Sequence, residues 1–160
     1  MRKPTKQARL AVEQFPALRF AWSTSRARDT YGYNICTLYL VRPSGHEVRA
    51  ARCNGGGYDM QGTALGNWMQ DFFKDDLKKL SSDIGSNTPW NTRGAFYGLS
   101  FWDPTRRKYR KAWRPGYSVY LDGGCGFNCM EHILNALGLS LHCIARNGKN
   151  TLYTLNLKGA

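Results

Sequence analysis

No apolar run in this chain approaches the ~18–20 residues that a membrane-spanning helix needs, so no helical span is expected. Nor does the start supply the apolar segment of a signal peptide. Met1-Arg2-Lys3-Pro4 leads into polar sequence, and a cytoplasmic location is expected. Acidic residues are scarce, 11 Asp and Glu against 23 Lys and Arg. The resulting net charge of +12 favours polyanions as partners, through long-range potential and counterion release. Nucleic acid or a nucleoprotein complex therefore leads the partner list. The cysteines number five, an odd count without a regular framework, so free thiols are expected in place of a disulfide scaffold.

What is present describes a folded chain. An apolar content of 42% with 21% charged residues is that of an ordered domain, not of a disordered segment. At 160 residues a single domain spanning 1–160 is expected. Aromatic side chains make up 13% of the sequence, enough to furnish stacking surfaces besides a core.

Along the chain, residues 5–15 suit a short helix stopped by Pro16. Leu18, Phe20 and Trp22 alternate as a strand, and a polar, basic loop follows from Ser23 to Gly32. Residues 33–41 and 47–53 form two strands about an Arg42-Pro43-Ser44-Gly45 turn. From Asp59, a natural N-cap, to Leu80 the apolar spacing is helical, with Leu65, Trp68, Met69 and Phe72 as its core stripe. Residues 81–92 are a loop, 95–102 and 117–121 a second strand pair, and 128–137 a second helix stopped by Gly138. Residues 139–146 and 151–157 close the chain as a hairpin about Asn147-Gly148.

Two glycine-rich turns punctuate this order, NGGGYD at 54–59 and GGCGFN at 123–128. Shifted by 69 positions, Gly55 meets Gly124, Gly57 meets Gly126, Tyr58 meets Phe127, Asp59 meets Asn128 and Leu65 meets Leu134. Each copy follows a strand pair and opens a helix, which reads as a duplicated unit over about 33–80 and 95–138. The fold class expected is α+β: a mostly antiparallel sheet from two hairpin-plus-helix units and a C-terminal hairpin, with the helices on one face.

Helix N-termini present unpaired N–H groups, so Gly55, Gly56, Gly57, Gly124 and Gly126 form candidate anion-binding turns. Neither turn carries the Lys-Ser/Thr of a phosphate-binding loop or the dinucleotide fingerprint, and Asp59 would repel phosphate at the first. The alternative is a tight turn that glycine alone tolerates. No cofactor is expected.

Cys125, Cys129, His132 and His142 form the second constellation. A thiol at a helix start with a histidine base would make a nucleophile, and the four groups together could bind zinc. Their spacing is not that of a common zinc motif, so no metal is expected, and Cys36 and Cys53 sit in strands as core residues. A cysteine enzyme stands as the alternative function.

The third constellation is the most concentrated. Arg106, Arg107, Lys108, Tyr109, Arg110, Lys111, Trp113 and Arg114 place six cations and two aromatics in nine residues between two strands. This segment is expected to project as a hairpin tip, its arginines pairing with phosphate and Tyr109 and Trp113 stacking on bases. The competing reading is a solvated edge whose charges discourage strand aggregation.

Gly124-Cys125-Gly126-Phe127-Asn128-Cys129 with the helix behind it resembles a group of small tailed-phage proteins in which a Gly-Cys-Gly-x-Asp/Asn turn opens a C-terminal helix. NGGGYD followed by Thr63-Ala64-Leu65-Gly66 is similar to another phrase of such proteins. The resemblance covers about a fifth of the chain. It implies phage origin, a place in the host bacterial cytoplasm and a small accessory role, including inhibition of host defence, with no activity to carry over. The expected function is accordingly a basic, non-enzymatic binder of nucleic acid or of a nucleoprotein complex. A protein-only inhibitor docking on an acidic patch of a host factor is the other alternative.

Overall fold

Thr5 ends the N-terminal approach by accepting a hydrogen bond from the Ala8 N–H at 3.0 Å, and so caps helix α1, Lys6–Gln14. Ala8 and Ala11 face inward on that helix and Pro16 follows it. The computed structural model describes residues 3–24, 34–54, 59–80 and 98–158. The expected loops at Ser23–Gly32 and 81–92 fall largely or wholly outside these residues, as do Gly55, Gly56 and Gly57.

After Pro16 the strands β1 (Ala17–Thr24), β2 (Asn34–Val41) and β3 (Glu47–Asn54) follow, with β7 (Leu139–Asn147) and β8 (Asn150–Leu157) at the end of the chain. They form one antiparallel sheet in the order β3-β2-β1-β8-β7. Leu18 lies opposite Leu40 and Tyr153, and Phe20 opposite Leu38, so alternate residues fill one face. The other face is polar. There Arg19 pairs with Glu47 at 2.6 Å and lies over the Tyr39 ring at 4.4 Å.

The helices cover the apolar face. Helix α2 (Met60–Phe72) packs on β2 and β3, and α4 (Phe127–Ala136) on β7. The stripe expected on α2 is core, with Leu65, Trp68 and Met69 buried and Phe72 packed against them. The single helix expected to Leu80 is instead two: α2 ends at Phe72, and α3 runs Lys74–Leu80. The Phe73 N–H bonds to the Met69 carbonyl and its own carbonyl accepts from Leu77, so the break is a bend, with Phe73 fully buried at its corner.

A second antiparallel sheet holds β4 (Leu99–Asp103), β5 (Lys108–Arg110) and β6 (Ser118–Leu121) in the order β5-β4-β6. The fold is therefore α+β with antiparallel sheets, as expected, but the second strand pair does not join the first sheet. The reason is the contact its continuation makes. The 3₁₀ turn Gly123–Cys125 after β6 lies on the start of α2, which touches β2 and β3 as well as β6. Leu99, Phe101, Val119 and Leu121 bury the inner face of this small sheet in the same continuous core. The order of a strand pair followed by a helix is common to both halves, with β5 and the 3₁₀ turn in the second, and the two helices start 67 residues apart, at Met60 and Phe127. Among the described residues no helix is long and apolar enough to cross a membrane.

Candidate functional site

The starts of α2 and α4 converge on one carboxylate. Asp59 accepts from the Gly62 N–H through Oδ1 at 2.8 Å, capping its own helix, and from the Phe127 N–H through Oδ2 at 2.8 Å. One carboxylate thus serves two helix N-termini, and α4, whose N-cap is Gly126, has no side-chain cap of its own. Gly126 holds φ 136°, a conformation that suits glycine. The Gly124 N–H in turn donates to Asp122 Oδ1 at 3.1 Å. Gly124 and Gly126 were expected to offer N–H groups to an external anion; Asp122 takes the first, and the Gly126 N–H donates to the Gly123 carbonyl at 3.1 Å. The glycines here serve close approach: a Cβ on Gly123 would overlap the Gly62 carbonyl and lie 2.6 Å from Thr63 Cα.

The thiols are not arranged for nucleophilic chemistry. All five cysteines are free. Burial, then the hydrogen bond and charge of Asp122, push the Cys125 thiol up to about 11, and burial pushes buried Cys36 up to about 12. Cys129 Sγ points to the Cys125 carbonyl at 3.7 Å. His132 and His142 are solvent-exposed, and among the described residues neither hydrogen-bonds a thiol. No group of three or more His, Cys, Asp or Glu among those residues is placed to hold a metal. Cys125 should accordingly alkylate no faster than a free thiol near pH 7, since only its thiolate reacts. A fast-reacting Cys125 in a mass-resolved iodoacetamide time course would restore the enzyme reading.

The basic segment is more ordered than a projecting tip. The hairpin from β4 turns at Pro104–Arg107 and returns at once as β5, with Trp102 opposite Tyr109 and Asp103 opposite Lys108. Asp103, 2% exposed, organises the turn by accepting from the Thr105 and Arg106 N–H groups at 3.0 and 3.2 Å. Burial alone would raise its pKa; the N–H groups of Arg106 and Thr105, the Tyr117 hydroxyl and the Arg110 charge together hold it below the ordinary Asp value. Arg110 Nε lies 3.5 Å from Asp103 Oδ2 and is half-buried there, so it serves the turn first. Arg106, Arg107, Lys108, Lys111 and Arg114 are exposed.

Of the two aromatics expected to stack on a ligand, only Tyr109 faces solvent, 55% exposed. Trp113 turns inward. Its Nε1 donates to the Tyr117 carbonyl at 3.0 Å, Lys78 Nζ lies 4.9 Å from its ring centre, and the ring packs against the core. Its neighbours Lys111, Ala112, Arg114 and Pro115 are all exposed, so only the tertiary fold reveals this. Two residues that the sequence reading passed over stand beside Tyr109 instead. The ring centres of Trp102 and Tyr120 lie 4.9 and 5.1 Å from that of Tyr109. Strand alternation carried the clue, because Leu99, Phe101, Val119 and Leu121 on the inner face leave Trp102 and Tyr120 pointing outward.

Compared with protein-family models, with curated proteins and with solved structures, the chain matches none of them.

Proposed function

We propose that this protein is a basic, non-enzymatic binder of nucleic acid or of a nucleoprotein complex, contacting phosphate through the β4–β5 turn and the segment that follows it. The observation that carries the reading is one-sided charge. Residues 104–121 contain no Asp or Glu, and five of the six cations between Arg106 and Arg114 are exposed. A solvated edge needs charge, but mixed signs would serve it equally. A one-sign cluster costs self-repulsion and is suited to a polyanion. The resemblance to tailed-phage proteins supports a setting in the cytoplasm of an infected bacterium, with host nucleic acid or a host-defence nucleoprotein complex as the target.

Arg107 supports the same reading from the backbone. It has φ 54°, the left-handed region, and is the one non-glycine residue with positive φ among those described. Glycine would sit there without strain, and a side chain kept in such a conformation points to use of that side chain. Arg107→Gly should leave stability unchanged or raise it by up to about 1 kcal/mol. The same variant should bind a generic oligonucleotide about five- to eightfold more weakly near 0.1 M salt, the effect of one lost phosphate contact. Thermal melts and fluorescence-anisotropy titrations read the two effects. If Arg107→Gly binds as tightly as the parent, the arginine is not a phosphate contact.

A further inference from the structure

The outer face of the small sheet selects the kind of strand. Resting on the proposed phosphate contacts, we infer that Trp102, Tyr109 and Tyr120 form a stacking platform for the bases of single-stranded nucleic acid. Tyr109 and Tyr120 stand on strands that flank β4 on opposite sides, yet their ring centres are 5.1 Å apart. The rings thus close over β4, where Ser100, opposite Tyr120, takes up little room. None of the three belongs to the buried core, and Tyr109 and Tyr120 are 55% and 39% exposed.

A cross-strand aromatic pair alone would be explained as support for a three-stranded sheet. Two further features specify the occupant. The first is charge complementarity: Arg106, Arg107 and Lys108 flank Tyr109 in the chain and Lys111 follows it, all exposed. Phosphates can run along these cations while the bases lie on the rings. The second is geometry: the Tyr109 and Tyr120 rings, tilted by 38° to each other and both exposed, offer π surfaces to bases that are free, and duplex bases are not. The Tyr120 hydroxyl keeps its proton at neutral pH, its pKa raised by burial and then by Asp122 and its neighbours, so no phenolate repels the backbone.

The test compares Tyr109→Thr/Tyr120→Thr with Tyr109→Phe/Tyr120→Phe on 12-mers of dT and of U, and on a duplex of the same length. The threonine pair should weaken both single strands by at least about fivefold for each ring lost, leave duplex affinity unchanged and keep the salt slope of the parent. The phenylalanine pair should bind as the parent does. Unequal losses for dT and U tell which strand the platform prefers, and either supports the inference. In the parent, single strands should quench tryptophan fluorescence, and Trp102→Phe should remove much of that quenching. This readout stands even if the threonine pair fails to fold. Equal weakening of duplex and single strands, parental affinity in the folded threonine pair, or no contribution of Trp102 to quenching overturns the platform while leaving the phosphate contacts in place. No binding of any nucleic acid by the parent at low salt overturns both readings.

Discussion

Replacing Arg106, Arg107, Lys108 and Lys111 together with serine is expected to weaken binding to a single-stranded oligonucleotide by roughly 10³-fold near 0.1 M salt. Each lost phosphate contact removes roughly 0.7–0.9 from the slope of log affinity against log salt, and four act together. Arg110 is left in place because its half-buried guanidinium lies 3.5 Å from buried Asp103, closer than exposed Arg106 at 4.0 Å, and its loss would disturb the turn rather than the surface. The four chosen side chains are exposed. Their replacement should therefore change stability by no more than about 0.5 kcal/mol each. A melt within a few degrees of the parent, together with the lost affinity, separates a binding role from a folding role. A variant that folds and binds as before would leave the cluster as a solvated edge.

The second large effect concerns the contact between the 3₁₀ turn and the start of α2. Gly123→Ala is expected to destabilise the protein by about 3 kcal/mol or more, at or above the upper end of overpacking costs. The new methyl group meets backbone, the Gly62 carbonyl and Thr63 Cα, and neither is the movable end of a side chain. Relief would require α2 and the 3₁₀ turn to separate, which would also lengthen the bond from Phe127 to Asp59. For a chain of this size that loss corresponds to a melting temperature lower by roughly 6–12 °C. Gly62→Ala should behave alike, since its Cβ would fall 2.8 Å from the Phe127 nitrogen. A Gly123→Ala melt unchanged from the parent would remove close packing as the reason for these glycines.

Local chemistry made much of the fold legible. Asp59 as a cap, Pro16 as a stop and Asn147-Gly148 as a turn each act within a few residues, and the structure bears them out. What escaped was decided at long range. Strand β5 is three residues of Lys-Tyr-Arg, too short and too charged to show a pattern, and it exists because β4 offers it an edge. Asp103 looks like an ordinary turn residue, but Tyr117 and Arg110 arrive from later in the chain to satisfy it. The double cap of Asp59 joins residues 68 positions apart. The bend at Phe73 follows from burying that ring among Trp68 and Phe72, at 5.5 and 4.9 Å, a tertiary demand on a stretch whose periodicity reads as continuous helix. At the candidate site the cations were visible as composition. The platform beside them was not, because it depends on which side of each strand faces water.

The most direct test of the central claim is the salt dependence of wild-type binding to oligo(dT), followed by anisotropy from low to near-molar monovalent salt. The phosphate contacts proposed here predict a linear fall of log affinity with log salt, with a slope of about −3.5, since five exposed cations each contribute roughly 0.7. The serine variant should flatten that slope by about 3. A wild-type affinity that does not change with salt, or no detectable binding at low salt, would contradict the account and direct the basic surface to a protein partner.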